Sequence, residues 1–223
     1  MADLKRMLEE IRMEVDYTSR MIGRTAFDER VMDAMATVPR HAFVPPEMQS
    51  RAYINGPLPI GDGQTISQPY IVALMTDLLD PEPDHVILEV GTGSGYQAAV
   101  LSQLVSKVYS IEIIEKLSHR AAATLSALGY DNVVCRVADG YHGWDEFSPF
   151  DGIIVTAAAP SIPPPLVDQL KPGGKLVIPV GMAHFHQELM LVEKGESGEI
   201  GTRDVLGVAF VPLTGGHGNP DYE

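Results

Sequence analysis

The stretch that decides the fold is Val86-Ile87-Leu88-Glu89-Val90-Gly91-Thr92-Gly93-Ser94-Gly95-Tyr96. A short apolar run stops at Gly91, glycines recur at 91, 93 and 95, and a helical pattern continues through Ala98 to Leu104. Without side chains, those glycines let the backbone turn tightly and approach a ligand, and a helix N-terminus offers unpaired N–H groups. The spacing is Gly-x-Gly-x-Gly. It differs from the Gly-x-Gly-x-x-Gly dinucleotide fingerprint, and no Gly-Lys-Ser/Thr follows to make a phosphate loop.

Downstream, strands and helices alternate. Strands are expected at Lys107 to Ile111, Val133 to Val137, Phe150 to Val155 and Lys175 to Val180, with a helix over Ile114 to Leu128 closed by Gly129. This rhythm implies a doubly wound α/β fold, a mostly parallel sheet with helices on both faces. The end departs from it: Glu188 to Glu193, a turn at Gly195 to Gly198, and Val205 to Val211 read as an antiparallel strand pair. Open sheets of this kind bind ligands at the carboxyl ends of their strands. There Glu112 closes the second strand, placed to accept from two ribose hydroxyls. Asp139 closes the third and precedes Gly140, placed to read an adenine amino group. Either acid alone is as often a solvated turn residue; their joint placement carries the reading, with a dinucleotide oxidoreductase as the rival.

Upstream, residues 3 to 16 form a helix with Leu4, Met7, Leu8, Ile11 and Val15 on one face. A second helix is expected from Phe27 to Ala36, stopped by Pro39. From Arg40 to Gln68 the chain is rich in Pro, Gly and aromatics, too long and irregular for a connector, as a functional or packed lid would be. Pro69 then opens a helix over Tyr70 to Leu79, with Gln68 or Ser67 as its cap. The expected organisation is one domain over residues 1–223: helices and a substrate-side loop over 1–68, a cofactor-binding core over 69–214, and a tail over 215–223.

Composition narrows the partners. Thirty acids against sixteen bases give a formal charge of −14. Nucleic-acid binding draws on clustered Lys and Arg, and no such block exists, so no nucleic-acid partner is expected. No run approaches the roughly 18 apolar residues of a membrane span. The first ten residues lack the apolar stretch of a secretory signal, and one cysteine forms no internal disulfide, which points to the cytoplasm.

The chain resembles the protein-L-isoaspartate O-methyltransferase family from about residue 5 to Thr214. The matching pieces include Arg40-His41-Ala42-Phe43-Val44-Pro45, Ala52-Tyr53, Pro57-Leu58-Pro59-Ile60-Gly61, Val86 to Gln97, Asp139-Gly140, Asp151 to Pro160, Leu170 to Gly174 and Val211-Pro212-Leu213-Thr214. The glycine loop alone would say methyltransferase. Gly63-Gln64-Thr65-Ile66-Ser67-Gln68-Pro69 is the segment specific to this family.

The resemblance implies the seven-stranded methyltransferase sheet and S-adenosyl-L-methionine as cofactor. It implies methyl transfer to the free α-carboxylate of L-isoaspartyl residues in damaged proteins and peptides, whose esters then close to succinimides. Ser67 matches the serine assigned to the active site, and Gly91, Gly93, Gly95, Glu112, Asp139 and Gly140 match cofactor contacts. Glu89, Thr92, Ser94 and Tyr96 are expected beside them, with Thr65, Ile66, Gln68 and Thr214 on the substrate side. A carboxylate acceptor is already ionised at neutral pH and needs placement and desolvation, not a base. Ser67 and N–H groups of the following helix start could hold it, or Ser67 could simply cap that helix. Two alternatives remain: a methyltransferase of the same fold acting on aspartates of a dedicated peptide or on a small molecule, and a non-catalytic module that binds the cofactor to recruit a partner.

Other residues read as structural. His184, His186 and His217 give no metal-ligand spacing, so no metal is expected. Asn219-Pro220-Asp221-Tyr222 lacks the second proline and the position of an amine-methylating motif. Cys135 reads as an inert core thiol and the ten methionines as core filler. Trp144 and Phe147 are expected to pack beneath the loop before the fourth strand. A monomer is expected.

Overall fold

The computed structural model describes residues 2–182 and 185–215. Helix α1 spans Ala2–Ile22, longer than the expected 3 to 16. Its buried face (Met7, Ile11, Val15) continues through Thr18 to Ile22. The polar Thr18 hides this continuation from an apolar count: its Oγ1 lies 2.6 Å from Tyr70 Oη inside the core. Gly23, at φ +71°, ends the helix and donates its N–H to Ser19 O. Helix α2 is Glu29–Thr37, and Asp28 caps it by accepting from Arg30 N at 2.8 Å. Phe27, expected within this helix, therefore stays outside and stacks on Tyr70.

The segment expected to be irregular is ordered by two 3-10 turns, Arg40–Phe43 and Pro46–Arg51, and a hairpin of β1 (Leu58–Gly61) and β2 (Gln64–Ile66). Asp62 and Gly63 form its turn at φ +52° and +72°, the pattern of an Asp-Gly hairpin. Helix α3 (Pro69–Leu79) follows with Pro69 in its first turn. Gln68 occupies the cap position, but no side chain caps the helix.

The main sheet is built from β3 (Val86–Val90), β4 (Lys107–Glu112), β5 (Val133–Val137), β6 (Phe150–Val155), β7 (Leu170–Gly181), β8 (Gln187–Lys194) and β9 (Ile200–Val208). Helices α4 (Tyr96–Ser102), α5 (Glu115–Ala127) and the short α6 (Pro164–Asp168) connect its parallel part. The seven strands lie in the order β5-β4-β3-β6-β7-β8-β9. Pairing is parallel from β5 through β7, then antiparallel at β7–β8 and β8–β9. This is the expected fold class, and its closing strands run as a plain meander.

Two strands differ from expectation in extent. β7 begins at Leu170 because Phe150 pairs with Leu170 and Gly152 with Lys175, so Lys171 to Gly174 bulge out of the ladder. β9 runs from Ile200 to Val208, not from Val205 to Val211. Its first five residues are exposed, so no alternation marks them, while Phe210 and Val211 leave the sheet.

Strand alternation sorts the core into two layers. Ile87, Ile154 and Val177 face one apolar cluster, shared with α1, α2, α3 and α4. Leu88, Val90, Ile153, Val155 and Leu176 face the other, beside Leu166 of α6. Trp144 packs there, buried, with its ring edge-on to Tyr109, whereas Phe147 stacks on Tyr109 from the partly exposed rim. Cys135 is half-buried in β5, and burial pushes its thiol up to about 12, which leaves it unreactive. Among the described residues, no helix is long and apolar enough to cross a membrane and no His/Cys/Asp/Glu cluster could hold a metal ion. His184, His217 and the Asn219 to Tyr222 motif lie outside the described residues.

Candidate active site

The chain runs from β3 outward to β4 and β5, then returns to place β6 on the other side of β3. A sheet that reverses this way opens a crevice between the two strands at their carboxyl ends. Gly91 and Thr156 follow those strands and meet across the crevice, with Thr156 Oγ1 donating to Gly91 O at 2.6 Å. A Cβ on Gly91 would sit 2.3 Å from Thr156 Oγ1, and its φ of +95° is strained for any other residue. Gly140 is required for a similar reason, since a Cβ there would lie 2.4 Å from Val90 Cγ1.

Above this point lies a cavity open to solvent. Gly91, Thr92, Gly93, Ser94, Tyr96, Glu112 and Gly140 line it, as do Thr65, Ile66, Ser67 and Thr214. The β1–β2 hairpin covers one side, fastened to α5 by Arg120 Nη2, which donates to Ile60 O at 2.6 Å, and by the Lys116–Asp62 ion pair. Leu213 and Val211 also wall the cavity. They are brought there by backbone bonds from Ala158 N to Val211 O and from Leu213 N to Ala158 O, each 2.8 Å.

The glycine loop is not the anion cradle that an unpaired helix terminus suggests. Gly91 N and Thr92 N both donate to Ile111 O, Gly95 N to Thr92 O and Tyr96 N to Ser94 Oγ. Gly93 N donates to Glu112 Oε2 at 2.8 Å, and Ile114 N to Glu112 Oε1 at 2.9 Å. Glu112 is also the single charged side chain among the described residues lining this cavity. A pyrophosphate would meet a carboxylate and no cation there. A cationic ligand with a vicinal diol would meet a fixed acceptor, so the donor set fits S-adenosylmethionine and disfavours a dinucleotide.

Four expected residues lie differently. Glu89 is fully buried beneath the loop, where Ser110 donates to its Oε2 and Thr92 Oγ1 contacts Ser110 Oγ. Burial pushes its carboxyl up to about 8. Gly95 caps α4 and packs against Ala121 and Leu125. Asp139 accepts from Tyr141 N at 3.0 Å, and its carboxylate lies against Gly215, where a Cβ would come within 2.3 Å of Oδ2. Gln68 turns to a second cavity, of about 510 Å³, and donates to Glu14 at 3.0 Å.

That second cavity is lined by Ser67, Tyr70, Phe185, Val208 and Phe210, among others. Thr65, Ser67, Thr156 and Val211 line both cavities. Ser67 is half-buried and its hydroxyl takes no partner among the described residues. The N–H groups expected to assist it are reduced in number: Pro69 has none, and Tyr70 N donates to Asn55 Oδ1 at 3.0 Å. Sequence reasoning missed Thr156 as a wall of both cavities, although it lay in a quoted match, because its position depends on which strand neighbours β3.

The family model for protein-L-isoaspartate(D-aspartate) O-methyltransferase matches residues 18–218. The chain belongs to this family. It is 64% identical over 212 residues to protein-L-isoaspartate O-methyltransferase 2 of Syntrophobacter fumaroxidans, covering 95% of this chain and 86% of that one. It is 63% identical to the protein of the same name from Nitrosococcus oceani, covering 97% and 98%. Among solved structures, one protein-L-isoaspartate O-methyltransferase superposes with a TM-score of 0.78 at 29% identity, over 92% of this chain and 66% of that one. Another, from Plasmodium falciparum and solved in complex with S-adenosyl-L-homocysteine, gives 0.74 at 26% identity over 92% and 97%. The chain is thus an S-adenosylmethionine-dependent protein carboxyl methyltransferase of the isoaspartate-repair family.

Proposed function

We propose that this chain methylates the free α-carboxylate of L-isoaspartyl residues where its two cavities meet, with Ser67 holding the acceptor. The observation that carries this reading is the wall of Thr65, Ser67, Thr156 and Val211 common to both cavities. One cavity suits the donor and the other an extended chain, so the reacting atoms come together only at that wall.

When bound, S-adenosylmethionine supplies a methyl group on a sulfonium sulfur, ready for displacement by an anionic oxygen. Glu112 and the glycine loop hold the adenosine side, with Thr92, Ser94 and Tyr96 beside it. Thr156 already donates its hydroxyl to Gly91 O, which leaves Ser67 and Thr65 as hydroxyl donors at the wall, and of these Ser67 is the half-buried one. A carboxylate held there loses water to Ile66 and Val211, and a desolvated carboxylate is the stronger nucleophile. No proton leaves the acceptor, so no base is required, and Ser67 acts as a hydrogen-bond donor without becoming a nucleophile. The resulting ester loses its alcohol to the following backbone nitrogen without further help from the protein.

The test compares labelled-methyl transfer from S-adenosylmethionine to one peptide in isoaspartyl and aspartyl forms. Transfer to the isoaspartyl form alone is expected, and equal transfer to both would overturn the substrate assignment. Ser67→Ala is expected to lower kcat by about tenfold, the order of one lost charge-assisted hydrogen bond, with cofactor affinity within about twofold. A wild-type kcat would remove Ser67 from the reaction.

A further inference from the structure

Arg40, at the start of the first 3-10 turn, is fully buried. Its hydrogen-bond partners are all neutral. Nε donates to Ala52 O at 2.8 Å, and Nη2 to Ser67 O at 2.7 Å and Gly56 O at 3.5 Å. The guanidinium carbon lies 4.8 Å from the centre of the Tyr96 ring. Among the described residues, Nη1 has no hydrogen-bond partner and no carboxylate pairs with this side chain. A buried cation without a counterion is costly, and buried arginines are ordinarily paired. Burial draws the Arg40 guanidinium down only to about 10, so the charge persists at neutral pH.

The position of that charge explains its retention. Its shortest bond goes to the carbonyl of Ser67, one of the four residues that line both cavities. Glu14, an acid lining the second cavity, is already engaged by Asn55 Nδ2 at 2.8 Å and by Gln68 Nε2. We propose that Arg40 is a positioning residue for the acceptor: its fork fixes the Ser67 peptide, and its unneutralised charge behind that peptide favours an anionic acceptor over a neutral one. The missing counterion is then the substrate's own carboxylate, sensed through one peptide unit. This rests on the reading of Ser67 given above.

The experiment uses the full chain, Arg40→Lys and Arg40→Met, each checked for folding by thermal unfolding and for S-adenosylmethionine affinity by calorimetry. Two peptides are compared, an isoaspartyl peptide as substrate and the same peptide with a carboxamide in place of the reacting carboxylate as inhibitor. The wild type is expected to favour the carboxylate by roughly tenfold, the order for a charge acting across one peptide at intermediate dielectric. In Arg40→Met that preference falls toward one while cofactor affinity stays within about twofold. Arg40→Lys keeps the preference but loses kcat, since a point charge cannot reproduce the fork. A merely structural role would weaken both peptides together and leave the ratio unchanged, which overturns the proposal. Should Arg40→Met not fold, the other proteins decide: a wild-type ratio near one, or wild-type kcat in Arg40→Lys, overturns it. Failure of the wild type to methylate any isoaspartyl peptide overturns the parent reading instead, and this proposal with it.

Discussion

Glu89 shows how a residue read correctly for its place can be misread for its task. Its position at the end of the central strand suggested a ligand contact, yet it is sealed beneath the loop and connects to Thr92 through Ser110. Burial raises its carboxyl from an ordinary value of 4.5 to about 8. Between those values the folded chain holds a proton that the unfolded chain releases, so this group's contribution falls as pH rises through that window. Glu89→Gln removes the titration while keeping the shape. The urea-unfolding free energy of the wild type, less that of the variant, is expected to fall between about pH 5 and pH 8. A pH-independent difference would show that Glu89 is ionised in the folded protein. That the glycine loop, Glu112 and Ser67 gather at one cavity was legible because strand ends and loop chemistry are local. Thr156 and Arg40 were not, because their roles come from neighbours remote in sequence: Gly91 is 65 residues from Thr156 and Ser67 is 27 from Arg40.

Among the elements, strongly periodic ones could be read and polar or short ones could not. Strands β3 to β6 and helices α4 and α5 came out within a few residues, whereas β7 begins five residues before its expected start and the five-residue α6 was not expected. α1 was cut short because its seam passes through Thr18, and the β1–β2 hairpin was missed because two strands of four and three residues give no periodicity. Only its Asp-Gly turn could have betrayed it. The exposed start of β9 left the edge of the sheet unmarked for the same reason. The Thr18–Tyr70 contact that joins α1 to α3 makes a test of this packing. Thr18→Val strands the Tyr70 hydroxyl in the core and is expected to cost about 2 kcal/mol, whereas Thr18→Val combined with Tyr70→Phe costs less than the single change. Urea denaturation of these two variants and of Tyr70→Phe alone checks this. Additive losses would mean the two hydroxyls act independently.

For the molecule as a whole, a formal charge of −14 sets a field that every peptide must cross to reach the second cavity. Isoaspartyl peptides flanked by lysines are expected to show kcat/KM values that fall with added salt, and those flanked by glutamates values that rise, as screening removes attraction or repulsion. Parallel slopes for the two peptides would show that the overall charge plays no part in encounter.

The meander of β7, β8 and β9 carries a temporal consequence. Synthesis proceeds from the amino end, so the cofactor loop, Glu112 and Ser67 all emerge well before Val211 and Leu213, which complete the chamber by bonding to Ala158. A growing chain can build its whole sheet and still leave the reaction chamber without a side. The chamber gains its last wall only when the stretch after the edge strand folds back over the crevice.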